Sequence, residues 1–164
     1  MPRKKKKSEA QDACSQYQRD LGSEDCIKPS TAHRSKGKRF EIKRESDPKE
    51  HVCKADIDCL IPKPEKGKKK CDVVFMRPKT EEFYFVELKG KGDSNLQSVY
   101  KQIESTISYF REKLEAKKGE VNGYIVGSNV PRRNDQKFRD LQNQFRRDYG
   151  GEFKRGTQEY IKRI

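Results

Sequence analysis

Two apolar segments separated by a polar hexapeptide constrain this chain more than any other feature. Lys70-Cys71-Asp72-Val73-Val74-Phe75-Met76 and Phe83-Tyr84-Phe85-Val86-Glu87-Leu88-Lys89-Gly90 are rich in aromatic and β-branched residues, and each reads as a strand. The intervening Arg77-Pro78-Lys79-Thr80-Glu81-Glu82 is polar, and Pro78 resists a central-strand position. The pair therefore predicts a β-hairpin. With the turn centred on Lys79 and Thr80, Asp72 stands opposite Glu87. Side chains alternate along a strand, so Glu87 and Lys89 share a face while Leu88 takes the other. Cross-strand partners project together, about 5 Å apart. Two carboxylates and an ammonium thus converge at one end of an otherwise apolar hairpin, and a slip of one residue would separate them.

Carboxylates held that close repel and raise each other's pKa unless a cation lies between them. Hard oxygen ligands suit Mg²⁺, which takes one or two carboxylates together with water and substrate phosphate. A neighbouring lysine can offset developing negative charge or orient an attacking water. The plainer reading is a surface ion pair at a solvated strand end.

With these residues in hand, the chain resembles the PD-(D/E)xK nuclease superfamily. Asp72 is followed on the next strand by Glu87-Leu88-Lys89, and the expected order is strand-strand-strand-helix-strand. The resemblance spans residues 50 to 130. Cys71 departs from the family's name, which has proline there. The resemblance implies a restriction-endonuclease-like core. It also implies Asp72 and Glu87 as ligands of Mg²⁺ or Mn²⁺, Lys89 as the catalytic lysine, and DNA rather than RNA as the substrate. Many members cut two strands with two subunits, so a homodimer is compatible with it. The superfamily often places a polar residue of the following helix near the metal, and Gln102 is the candidate, with ordinary packing as its alternative. Asp58, on an expected strand from His51 to Ile61, is a candidate to support the metal beside Asp72, or else lies on a solvated face. An upstream acidic ligand stays open among Glu41, Glu45 and Glu50.

Composition agrees with a polyanionic partner. The net charge is +13, 40% of residues are charged and only 30% are hydrophobic, which predicts a small core and a strong positive field. The loop carrying Lys66, Lys68, Lys69 and Lys70 leads into Asp72, and Lys91 lies just beyond Lys89, so both loops are candidates to bind a nucleic-acid backbone. No apolar run is long enough to span a bilayer, so no membrane partner is expected. An odd count of five cysteines predicts reduced thiols and a cytoplasmic protein, nuclear in a eukaryotic host. Cys53 and Cys59 fall on one face of the expected strand. They read as small hydrophobes rather than zinc ligands.

Residues 1–38 read as a largely disordered basic tail and linker, with a weak helix over Ala10–Leu21, and 39–164 as the nuclease-like domain. Lys38–Arg44 reads as a short edge strand. Leu96, Val99, Ile103, Ile107, Phe110 and Leu114 form one helical stripe. Asn122–Val130 reads as a buried strand, and Arg132–Tyr149 as a basic amphipathic helix. Thr157–Ile164 reads as a last strand or a loose tail. The expected fold is α/β: a small mixed sheet of about four strands flanked by helices. The expected function is a metal-dependent nuclease, a phosphodiester hydrolase. A non-catalytic nucleic-acid-binding protein and a basic interaction or inhibitor protein are the alternatives.

Overall fold

The computed structural model describes residues 9–63, 69–89, 96–114, 120–128 and 135–164. They form three layers. In the middle is a six-stranded mixed sheet in the order β1(Ile27–Pro29), β4(Cys53–Asp56), β5(Val73–Arg77), β6(Glu82–Leu88), β7(Val121–Gly127), β8(Gly150–Thr157). Neighbouring pairs are antiparallel from β1 to β6, and β6–β7 and β7–β8 are parallel. The parallel pairs need crossovers, supplied by α3(Leu96–Lys113) and α4(Gln136–Tyr149). These two helices share one face of the sheet with α1(Glu9–Leu21). The opposite face carries a three-stranded sheet ordered β2(Ala32–Ser35), β3(Lys38–Lys43), β9(Glu159–Arg163).

Strand alternation sorts the core into two compartments. Val74, Met76, Phe83 and Phe85 face the helices and meet Val99, Ile103, Ile107 and Phe110 of α3. Val73, Phe75, Tyr84, Val86 and Leu88 face Phe40 and Ile42 of β3. Of the helical stripe read from the sequence, Val99, Ile103, Ile107 and Phe110 are buried in α3, Leu96 is half-buried at its start, and Leu114 is buried just past its end. In α4, Phe138, Leu141 and Phe145 are buried. Asp135 caps its N-terminus by accepting from Phe138 N–H at 3.2 Å, and Gly150 ends it in the left-handed conformation at φ 79°.

The architecture is the expected mixed α/β, but larger than four strands. Residues 9–38 are not the disordered tail and linker that their composition predicts. α1 buries Cys14, Tyr17 and Leu21, and β1 and β2 each join a sheet. Residues 1–8 lie outside the described residues. β3 is the middle strand of the second sheet, not an edge. The segment read as one strand from His51 divides into β4 and the short helix α2(Ile57–Leu60), because the Asp56 carboxylate accepts from Cys59 N–H and caps a helical turn. The chain beyond α4 forms two strands, β8 and β9.

The cysteines also depart from the reduced-thiol reading. Cys14 pairs with Cys53 and Cys26 with Cys59, and Cys71 is the free thiol, buried. Cys53 and Cys59 are therefore neither a zinc pair nor isolated hydrophobes. No helix among the described residues is long and apolar enough to cross a membrane.

The β7–β8 register shifts between Val121 and Gly123, and Gly151 lies beside that irregularity. A Cβ at 151 would stand 1.8 Å from the Val121 carbonyl oxygen, a backbone atom that cannot rotate away. Gly151→Ala is therefore expected to destabilise the protein by about 3 kcal/mol or more, measured by urea unfolding. Gly127→Ala, where nothing lies within 4 Å of the added atom, serves as the control.

Candidate functional site

The hairpin folds in the register its sequence predicts. Val73 pairs with Val86 and Arg77 with Glu82, which centres the turn on Lys79 and Thr80. The regular ladder stops at Val73–Val86: Asp72 N–H donates to the same Val86 carbonyl at 3.1 Å. Past this irregularity the Asp72 and Glu87 side chains meet, hydrogen-bonded to each other and both approached by Lys36. The Asp72 carboxylate is oriented by the backbone: its Oδ2 accepts from Leu88 N–H at 2.7 Å.

Glu87 is 2% exposed, and its Oε2 is buried without a hydrogen-bond partner. Burial, then the charge of Asp72 and a hydrogen bond shared with it, push the Glu87 carboxyl up to about 9; Lys89 and Lys36 pull it the other way. Lys89 N–H donates to the Val126 carbonyl at 2.9 Å, which holds this residue at the end of the β6–β7 pair. The structure thus brings Asp72, Glu87 and Lys89 to one end of the sheet.

Lys36 belongs to the same constellation and was missed from the sequence. It occupies the tip of the β2–β3 hairpin, where Lys36 at φ 54° and Gly37 at φ 72° both adopt the left-handed conformation that a two-residue turn requires. Its Nζ lies 3.5 Å from Asp72 Oδ1 and 4.0 Å from Glu87 Oε1, and donates to the Leu88 carbonyl at 3.2 Å. A Lys-Gly pair between Ala32-His33-Arg34-Ser35 and the alternating Lys38–Ile42 segment was the available signal.

Helix α3 approaches through Thr106, whose Oγ1 accepts from Cys71 N–H at 2.9 Å and donates to the Gln102 carbonyl at 3.0 Å. Gln102, one turn away, is buried with its Oε1 unpartnered. Cys71 itself is sealed from solvent, and burial drives its thiol far above the ordinary range, so it is no nucleophile.

Several other candidates are elsewhere. Asp58 sits in α2 and is exposed, not on a strand beside Asp72. Glu50 is committed to Arg77, with both its oxygens 2.7 Å from the guanidinium. Glu41 pairs with Arg39 and Glu45 with Arg163, so each of the three upstream acids is held by an arginine. Lys69 is exposed, whereas Lys70 Nζ donates to the Ser105 carbonyl at 3.3 Å on α3. Lys66, Lys68 and Lys91 lie outside the described residues.

Among the described residues no group of three or more His, Cys, Asp or Glu side chains could hold a metal. The donor set here is two carboxylates. That is too few for a closed structural zinc site, yet it fits Mg²⁺, which keeps several waters and takes the rest of its shell from phosphate. The unpartnered Glu87 Oε2 fits the same ion, since a buried carboxylate oxygen without a donor is a place for a cation. No protein-family model, curated protein or solved structure matches this chain.

Proposed function

We propose that this protein is a metal-dependent nuclease of the PD-(D/E)xK type, hydrolysing phosphodiester bonds of nucleic acid, with DNA as the first substrate to test. The observation that carries the reading is the meeting of Asp72 and Glu87 across the hairpin end, one of them buried with an oxygen left unpartnered, next to the charge of Lys89. The β4-β5-β6-α3-β7 run, three antiparallel strands followed by a helix and a parallel strand, supports the restriction-endonuclease-like core.

In this reading Asp72 and Glu87 hold Mg²⁺ or Mn²⁺. Such an ion polarises a phosphate oxygen and lowers the pKa of a bound water. The Leu88 N–H fixes the Asp72 carboxylate before substrate arrives, which avoids reorganisation during the reaction. Lys89 orients the attacking water or offsets charge gathering on the phosphate oxygens. Gln102, beside the Thr106–Cys71 link, is a supporting polar group. Exposed cations, among them Lys69 on one side and Lys137, Arg139, Arg146 and Arg147 along α4, would neutralise backbone phosphates with little sequence preference.

The test is cleavage of single-stranded, duplex and branched DNA, and of RNA, with Mg²⁺ or with chelator. Metal-dependent cutting is expected, with Asp72→Asn and Lys89→Ala reducing it by about 10³-fold while salt-sensitive binding persists. Binding without cutting by the intact chain would leave the non-catalytic nucleic-acid-binding reading in its place. Absence of binding at low salt would favour an acidic protein partner.

A further inference from the structure

Among the described residues, Lys36 is the cation that the fold delivers to the carboxylate pair from a different sheet. Its ammonium is within 3.5 Å of Asp72 Oδ1, 4.0 Å of Glu87 Oε1 and 3.2 Å of the Leu88 carbonyl oxygen. Three oxygens from two strands therefore converge on a single positive charge. All three are hard donors of the kind that a divalent ion takes.

The placement is built in. Lys36 lies in the left-handed region, uncommon for a residue bearing a Cβ, and Gly37 completes the turn. Lys38, 5% exposed, donates from its Nζ to the Lys36 carbonyl at 3.4 Å and so ties the turn from within. The β3 strand behind it is anchored by buried Phe40 and Ile42 against β5, β6 and β7. The side chain of Lys36 itself remains 49% exposed, so it can leave the carboxylates for water without disturbing the core.

We infer that the Lys36 ammonium is a resident cation of this site, competing with a divalent metal for Asp72, Glu87 and the Leu88 carbonyl, and that metal binding displaces it. The inference rests on the metal-site reading above. Its consequence is a weakened apparent metal affinity. A ligand that binds only the open fraction of molecules has its dissociation constant raised by the inverse of that fraction. A lysine in place about nine-tenths of the time therefore weakens binding roughly tenfold.

The experiment measures Mn²⁺ binding to the full chain by electron paramagnetic resonance and by calorimetry, without nucleic acid. Wild type is compared with Lys36→Met, Lys36→Arg, Glu87→Gln and the Lys36→Met/Glu87→Gln double variant. Lys36→Met is expected to bind Mn²⁺ roughly tenfold more tightly than wild type, Lys36→Arg to stay near wild type, and Glu87→Gln to abolish binding in both backgrounds. Binding by Lys36→Met alone, with none by wild type, supports the inference more strongly. Equal affinity of wild type and Lys36→Met, still lost on Glu87→Gln, overturns the resident-cation role and leaves the metal site standing. No Mn²⁺ binding by either at millimolar concentration overturns the metal site, and the inference with it. Should Lys36→Met fail to fold by circular dichroism, Lys36→Asn replaces it, since asparagine tolerates the left-handed turn.

Discussion

Glu87→Gln is expected to raise the stability of the metal-free protein by about 2–3 kcal/mol at pH 7 while abolishing any metal-dependent cleavage. The Glu87 carboxyl is pushed from 4.5 up to about 9, by burial first and by Asp72 second. Between those two values the folded chain keeps a proton that the unfolded chain releases. The unfolded state therefore binds fewer protons, and stability falls as pH rises through this window. The slope approaches about 1.4 kcal/mol per pH unit for one group. Below about pH 4.5 both states hold the proton and the contribution is intact; above about pH 9 both are ionised and the loss is complete. Gln keeps the shape and never ionises, so the variant should lose this slope and match wild type near pH 4.5. Urea unfolding in chelator between pH 4.5 and 9 reads it directly. A variant less stable than wild type at pH 7 would mean that Glu87 is ionised there and held by Lys36 and Lys89. The same linkage has a binding signature: metal needs the ionised carboxylate, so Mn²⁺ uptake at pH 7 should release close to one proton.

Reduction of the two disulfides is the second large effect. Cys14–Cys53 spans 39 residues and Cys26–Cys59 spans 33. In the chain-entropy account, closing loops of this length stabilises the folded state by about 3–4 kcal/mol each. The spans interleave, so the two together give less than the sum. Physically they staple α1 and the segment leading into β1 onto β4 and α2. Unfolding with and without reductant should differ by roughly 4 kcal/mol or more, and thiol titration in denaturant should give one group before reduction and five after it. Unchanged stability on reduction, or five reactive thiols in the untreated protein, would refute the pairing.

The hairpin and its register were legible because both signals are local. A Pro-containing polar turn between two β-branched and aromatic runs sets the pairing from Val73–Val86 to Arg77–Glu82, and that pairing brings Asp72 and Glu87 to the same hairpin end. The stripe of α3 was legible for the same reason, its period matching the helix. The second strand was only half legible. Asp56 ends β4 by capping α2, so the carboxylate at 58 that pattern reading set beside Asp72 turns outward.

What only the tertiary structure decided are the contacts between distant parts of the chain. Lys36 donates to a carbonyl 52 residues away, and the cysteines join segments more than thirty residues apart. The stretch before residue 39 is polar and rich in turn residues, which by composition is a linker. It folds because β2 and β3 can lay Phe40 and Ile42 over the far face of the main sheet, and because one covalent link holds α1 to β4 and a second holds the segment leading into β1 to α2. Hydrophobic period is a property of neighbours along the chain and can be read from it. The surface that each period is buried against, and the lysine that arrives with it, exist only once the layers have met.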